Sequence, residues 1–397
     1  MFQILSAVII GCILGIITGI SPGIHINLVS ALVISYSFYL TKLFPNELIA
    51  VAVISMAISH TFLDIIPTTF LGVNNDDNLA YLLPSHKLLL EGKSMLVIKL
   101  SCLGCFLGLV STILLTPLLI FLLPKIYPII KDYIPYILII LSLIIIYQSS
   151  TPLNSFFIFL VSGILGVLTL SLKTLNQPLL PLFSGLFGLS SLVLTIKNNT
   201  KIPEQHKVKL IINKTKLSIN IFLSLFSAVL TSFLPALTSA HTTKIVSWLN
   251  NKVSEEDYIV INNSINTIAM FLSIIALYTI NKARNGAIIA ISNIITINYS
   301  NLILLIVASI ISSFIAIFLT LSISKIFSKL IVKVNYKLLC IFIICLIILI
   351  TLFISSYLGI IVLFTSCGVG IIAISTNVDR INLIGCLIIP VVLYSLL

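Results

Sequence analysis

Apolar runs of about 17–25 residues follow one another along almost the whole chain, with short polar breaks between them, which is the pattern of successive membrane crossings. The runs do not alternate residue by residue, as the strands of about ten residues in a membrane barrel would. In lipid every backbone N–H and C=O must be paired within the protein, so the crossings are helices. The pattern places spans near residues 2–20, 27–44, 47–71, 96–123, 134–148, 153–171, 178–196, 217–235, 258–280, 286–300, 301–324, 337–355, 357–374 and 380–396. Several are short and are candidates for re-entrant pieces. The expected fold is an all-α polytopic membrane protein with about 10–14 transmembrane or re-entrant helices.

Composition agrees. Of 397 residues 59% are hydrophobic and 8% charged, where soluble domains carry roughly a quarter charged residues, and the mean hydropathy is +1.23. The start of the chain has neither a basic region nor a small-residue cleavage site and reads as a first span, not a removable signal. The net charge of +11 lies mostly in two loops, one with Lys197, Lys201, Lys207, Lys209, Lys214 and Lys216, the other with Lys325, Lys329, Lys333 and Lys337. In a membrane protein such loops are cytoplasmic, and the charge does not indicate nucleic-acid binding. Lysines outnumber arginines 20 to 2, a bias read as AT-rich codon usage. An acidic loop follows at Glu255, Glu256 and Asp257, and Lys282 and Arg284 follow the next span. A simple alternation of sides accommodates these charges if 217–235 crosses and the short piece 236–250 does not cross fully.

The basic loop also divides the chain into a first membrane repeat (1–196), the loop itself (197–216) and a second membrane repeat (217–397). Gly15 to Ser30 holds Ser21-Pro22-Gly23-Ile24-His25-Ile26-Asn27. Ala228 to Thr242 holds Pro235-Ala236-Leu237-Thr238-Ser239-Ala240-His241. Each has small residues, a proline, a polar cluster with a histidine, and a short apolar run. Interrupted hydrophobic segments at corresponding places in two halves point to inverted repeats with a binding site between them. Pro22, Gly23, His25 and Asn27, with Pro235, Thr238, Ser239 and His241, are the candidate substrate-binding residues. A proline removes a backbone donor and a glycine permits a tight turn, and the helix start that follows offers free N–H groups to an anion. The bland alternative is two ordinary Pro-kinked turns.

Ser59-His60-Thr61-Phe62-Leu63-Asp64-Ile65-Ile66-Pro67-Thr68 puts a histidine and a carboxylate inside an apolar span. Asp at a helix centre costs about 2.5–3.5 kcal/mol on insertion scales, and such residues face a bundle interior or a water-filled cavity. His60, Asp64 and Thr68 repeat at four-residue intervals on one helix face. They are the candidate ion-coupling residues for H⁺ or Na⁺, the alternative being a buried packing pair. Asn74 to Asn78 reads as a solvated turn, and Lys87, Glu91 and Lys93 as a solvated amphipathic stretch. Cys102 and Cys105 have CxxC spacing without a nearby histidine and read as helix-packing residues. HExxH, GxGD, GxSG and Walker A patterns are absent, so no enzyme activity, cofactor or metal is expected, and an ATP-driven pump is disfavoured.

Residues 14–95 resemble the large membrane subunit of tripartite tricarboxylate transporters, the TctA family, in its shorter archaeal-type branch. The resemblance rests on Ser21-Pro22-Gly23-Ile24-His25-Ile26-Asn27-Leu28, Ser59 to Pro67, Phe70-Leu71-Gly72, Leu83-Pro84-Ser85-His86-Lys87 and Leu89-Leu90-Glu91-Gly92. It implies a multi-span permease of the plasma membrane with one Pro-Gly motif in each half; here the second motif is Pro235-Ala236. It also implies a small membrane subunit and an extracytoplasmic solute-binding protein as partners, and carboxylate substrates moved with a cation gradient. The leading expectation is a secondary transporter of a small organic anion. A lipid- or isoprenoid-phosphate translocase, an intramembrane enzyme using His60 and Asp64, and a non-transporting membrane subunit are the alternatives.

Overall fold

The structure is a computed structural model that describes residues 2–21, 26–71, 83–197, 201–206, 208–234, 236–249 and 253–396. Among these residues there is no strand, and ten helices are long and apolar enough to cross a membrane. The first half comprises α1 (Phe2–Ile20), α2 (Ile26–Ser35), α3 (Ser37–Leu43), α4 (Asn46–Leu63), α5 (Ile65–Phe70), α6 (Pro84–Leu90), α7 (Ser94–Leu114), α8 (Thr116–Ile130), α9 (Ile134–Tyr147), α10 (Pro152–Ser171), α11 (Leu179–Phe183) and α12 (Ser190–Lys197), the last two joined by a π-helical turn, Ser184–Leu189. The second half comprises α13 (Lys214–Phe233), α14 (Ser239–Leu249), α15 (Glu255–Ile280), α16 (Gly286–Ile294), α17 (Tyr299–Leu330), α18 (Tyr336–Ser375) and α19 (Gly385–Leu396), with a 3₁₀ turn at Arg380–Ile384 before α19.

Small residues set the closest contacts. Along α1, Gly11, Gly15 and Gly19 lie against Ser55, Ser59 and Leu63 of α4, and a Cβ on Gly15 would fall 1.9 Å from the Ser59 hydroxyl oxygen. Such approach lets van der Waals contact hold helices together in lipid, where the hydrophobic effect gives no help. The constant offset also fixes direction: α1 and α4 run parallel. The same is true of α13 and α15, where Asn220 donates to Asp257 at 2.6 Å and the Ser224 hydroxyl reaches the Ile261 carbonyl at 3.4 Å. Two parallel neighbours must be joined by a segment that returns across the bundle. In the first half that segment contains α2 and α3; in the second it contains α14.

This arrangement corrects the alternation expected for the second half. Lys216 lies 3.9 Å from Asp257, so the starts of α13 and α15 share one end of the molecule, and α14 lies on the return path between them instead of dipping in and out of one face. The acidic first turn of α15 sits on the basic side because its carboxylates have partners there: Lys87 pairs with Glu255, and Asn220 and Lys216 meet Asp257. Lys87 therefore ties α6 to α15 and is not a merely solvated residue.

The same end gathers the start of α7, the end of α5 and the basic loop. Residues 201–206 and 208–213 run without helix along α6 and α7: the His206 N–H donates to the Gly92 carbonyl at 2.7 Å, Gln205 accepts from the Ser94 N–H at 3.0 Å, and Lys99 donates to the Val208 carbonyl at 3.3 Å. Gly92 has φ +75, a left-handed turn that glycine adopts without strain. The Tyr336 hydroxyl donates to the Phe70 carbonyl at 3.2 Å, and Phe70 packs on Phe327. The described lysines of both basic loops thus lie at one end, the end that the positive-inside rule expects to be cytoplasmic.

The 40 residues of α18 would span about 60 Å if straight, twice the hydrocarbon thickness. Ser356, at φ 57 and ψ −166, breaks it. Gly359 folds back against Thr351, which a continuous helix would hold about 12 Å away. The expected boundary between spans 337–355 and 357–374 falls at this residue. The expected span 286–300 is instead the nine-residue helix α16 and an extended link; α16 packs on α2 and α4.

Candidate functional site

Pro67 shapes the centre of the first half. It has no N–H for the Leu63 carbonyl, and the helix interrupts at Asp64 before α5 continues. The break exposes carbonyl oxygen beside a carboxylate, inside a span of which most residues are buried. Here α4 meets α15, which runs the opposite way. The Asn266 amide donates to Asp64 Oδ2 at 2.9 Å. One turn earlier the Thr267 hydroxyl donates to the Thr61 hydroxyl at 3.0 Å. Cys105 of α7 completes the junction, its Sγ 3.6 Å from the Thr61 carbonyl and 3.4 Å from the Asn263 carbonyl. Gly104 and Gly108 bring α7 against Val260, Ser264 and Ile268 of α15.

His60 and Asp64 serve different neighbours. His60 is buried, and its Nδ1 lies 3.2 Å from the Thr18 hydroxyl of α1. Asp64 is half-buried and faces α15. Thr68 is exposed; its hydroxyl donates to the Asp64 carbonyl at 2.7 Å, continuing the stripe by closing the turn that Pro67 opened. The junction is therefore rich in oxygen acceptors, from a carboxylate, hydroxyls and backbone carbonyls, a set suited to a proton or a small hard cation. Asn263, Asn266 and Thr267 escaped the sequence reading, although Asn262, Asn263, Asn266 and Thr267 in an otherwise apolar span carry the same signal that singled out His60 and Asp64.

Of the first helix break, Pro22, Gly23 and His25 lie outside the described residues, as does the side chain of Asn27 and the stretch Asn74 to Asn78. Pro235 of the second break also lies outside them, but its neighbours do not. Ala236 has φ +71, the left-handed conformation for which glycine is the natural residue. Ala thus occupies here the geometry that a Pro-Gly motif would supply. Thr238 is exposed, and its hydroxyl lies 2.7 Å from His241 Nδ1, while His241 Nε2 donates to the Ile381 carbonyl at 3.0 Å. Both ring nitrogens of this buried histidine are engaged, which docks α14 on the turn before α19. Ser239 contributes its carbonyl, accepting from the Thr242 and Thr243 hydroxyls at 3.2 and 2.7 Å. Lys244 pairs with Asp379 on the same surface.

At the end that gathers the basic loops, the buried His86 Nε2 donates to the Thr68 carbonyl at 2.8 Å, anchoring the end of α5 to α6. Burial pushes the His86 imidazole down to about 4, aided by the Arg380 charge and opposed by the hydrogen bond to Thr68. It is neutral at physiological pH.

A bundle of long apolar helices, with buried polar residues at a crossing and helix breaks beside it, defines a multi-pass membrane transport protein. The sequence model of the tripartite tricarboxylate transporter TctA family matches residues 5–385, and the chain belongs to that family. It is 33% identical over 404 residues to an uncharacterized protein of Methanocaldococcus jannaschii, a match covering 99% of each chain. No solved structure matches. Family membership makes the protein the membrane component of a tripartite-type transporter, and such systems include a solute-binding protein and a small membrane subunit.

Proposed function

We propose that the protein is a secondary transporter of a small organic anion, a carboxylate, driven by H⁺ or Na⁺, with two inverted repeats moving against each other around a site between the two helix breaks. The observation that carries this reading is the matched packing of the two halves. In each, a parallel helix pair, α1 with α4 and α13 with α15, is joined by a broken return segment. The partners also exchange. The helix α4 packs on α17 and α15 packs on α7, again parallel, while α4 and α15 cross antiparallel. A pseudo-two-fold axis in the membrane plane relates such halves, and transporters of that design bind substrate at the repeat interface.

The Asp64 junction lies where the two halves cross. A carboxylate at a boundary that must open and close is placed to bind a cation in one state and release it in the other. The Pro22–Asn27 and Pro235–His241 breaks then flank the substrate path. The solute-binding protein and small subunit of the family are the expected partners, at the extracytoplasmic face and in the membrane.

Reconstitution tests this. Proteoliposomes with an inward H⁺ or Na⁺ gradient take up labelled citrate or succinate, and Asp64→Asn abolishes gradient-driven uptake while the protein still inserts and elutes as a single species. Unchanged uptake by Asp64→Asn would overturn the coupling role.

A further inference from the structure

The chain has only two arginines against 20 lysines, and neither arginine lies in a basic loop. Arg284 follows α15, whose helix ends at Asn281 in a left-handed cap with φ +52. The chain then doubles back, and the Arg284 N–H donates to the buried Ser273 hydroxyl at 2.9 Å. Ser273 is six residues beyond Thr267, so Arg284 sits about 9 Å from the α4–α15 junction on its extracytoplasmic side. Its guanidinium lies beside an aromatic pair, with Cζ 5.2 Å from the centroid of Tyr127 and 5.2 Å from that of Phe233, the two rings being 5.8 Å apart. Lys282 donates to the Tyr127 hydroxyl at 2.5 Å. Arg284 Nε and Nη2 are buried and have no hydrogen-bond partner among the described residues.

Arg284 is half-buried overall, but two buried donors left unused are costly unless an anion completes them. The aromatic pair holds the group from one side through cation–π attraction. Both free nitrogens stand on one side of the fork, the geometry that receives the two oxygens of a carboxylate. Lysine would not reproduce it, which explains an arginine in so lysine-biased a chain. Phe233 ends α13 directly before the second helix break, so the fork stands at the extracytoplasmic approach to that break. Arg380, the other arginine, also has a buried Nε without a partner, but its Nη2 already donates to the Phe187 carbonyl, so its fork is not free to take both oxygens of a carboxylate.

We infer that Arg284, set against the Tyr127–Phe233 pair and flanked by Lys282, is an anion-binding site on the extracytoplasmic side that receives a substrate carboxylate. This deepens the transport reading and rests on it for the identity of the ligand. The test is equilibrium binding of labelled citrate to the purified full-length protein, with inorganic phosphate as a second anion and glycerol as an uncharged control, followed by uptake in proteoliposomes. Wild type binds citrate saturably, and more weakly as salt rises. Arg284→Gln and Arg284→Met lose affinity by about tenfold or more. Arg284→Lys falls between them, and glycerol does not bind.

The melting temperature separates a ligand site from a structural cation. Arg284→Met, which removes two buried donors without partners, melts without ligand at or above the wild-type temperature and loses the citrate-induced upward shift. Citrate affinity unchanged in Arg284→Gln, or no binding of citrate or phosphate by wild type, would overturn the site. Binding lost in Arg284→Gln, with no citrate uptake by wild-type proteoliposomes, would keep the site and overturn the transport reading. Uptake that survives Arg284→Gln would do the reverse.

Discussion

Asn266 donates to the Asp64 carboxylate at 2.9 Å, and so joins two helices that cross the membrane in opposite directions. A hydrogen bond to a charged group contributes about 1.5–3 kcal/mol, and a buried partner left unpaired costs a similar amount. Asn266→Ala should therefore lower stability by about 1–3 kcal/mol in detergent. Asn266→Asp, which faces one carboxylate with another, should lower it further. The swap Asp64→Asn with Asn266→Asp restores a donor opposite a carboxylate and should recover most of the loss in a double-mutant cycle. Gradient-driven uptake should stay low in the swap, because the carboxylate has changed helix. Additive single losses would count against a direct bond.

The pairing of Lys216 with Asp257 makes a topological prediction. Cysteines introduced at Lys216 and Glu256 should both resist a membrane-impermeant maleimide in intact cells and react after permeabilisation. A cysteine at Lys282 should react in intact cells. Labelling of positions 216 and 256 from opposite sides would contradict the parallel packing of α13 and α15.

Much of this was legible in the chain. Apolar run length gave the helices, because lipid imposes one dimension on every crossing, and even the break between 355 and 357 could be read. The polar stripe from His60 marked the junction, because a carboxylate is rarely left inside an apolar span without use. Direction was not legible. Glu255, Glu256 and Asp257 look like an extracytoplasmic loop until Lys87, Lys216 and Asn220 are placed beside them, and those partners come from distant segments. Arg284 stayed ambiguous, since Lys282 and Arg284 after a span read equally as anion-attracting residues or as ordinary positive-inside charges until the chain is seen to double back into the bundle.

Ala236 holds a backbone conformation that an L-residue adopts at a cost. Ala236→Gly should raise stability by about 0.5–1 kcal/mol, the relief of strain outweighing the greater freedom of glycine in the unfolded chain. Ala236→Val should lower it by more, because β-branched residues tolerate this region worst. Thermal unfolding of the three proteins at one detergent concentration checks the order Gly, Ala, Val.

His86 should make stability fall with acid. Its folded imidazole titrates near 4, below the unfolded value of about 6.5. Between these values the unfolded chain binds the extra proton, so stability is full above about 6.5 and declines as the pH drops toward 4. His86→Gln, whose amide can still donate to the Thr68 carbonyl, should flatten the melting temperature across that window. An unchanged slope in the variant would assign the acid sensitivity elsewhere.

Gly11 and Gly15 both touch α4, but they should not respond equally to a methyl group. At Gly11 the nearest atom is the Ala52 carbonyl oxygen, 2.3 Å from an added Cβ. That oxygen belongs to the backbone of α4 and moves only if the helices separate. At Gly15 the nearest atom is the Ser59 hydroxyl oxygen at 1.9 Å, at the end of a side chain that can turn away, though it would abandon the Ser55 carbonyl it donates to at 2.6 Å. Gly11→Ala should therefore be the more damaging change, by about 1–3 kcal/mol or more as an overpacked contact. Gly15→Ala should be partly rescued by Ser59→Ala, which removes the colliding oxygen and leaves the milder approaches of the residue-59 Cβ at 2.9 Å and the Met56 carbonyl oxygen at 3.1 Å. No substitution at Ala52 removes a carbonyl, so Gly11→Ala has no such rescue. Equal losses at the two glycines, or rescue at neither, would mean that α1 and α4 stand further apart than this contact requires.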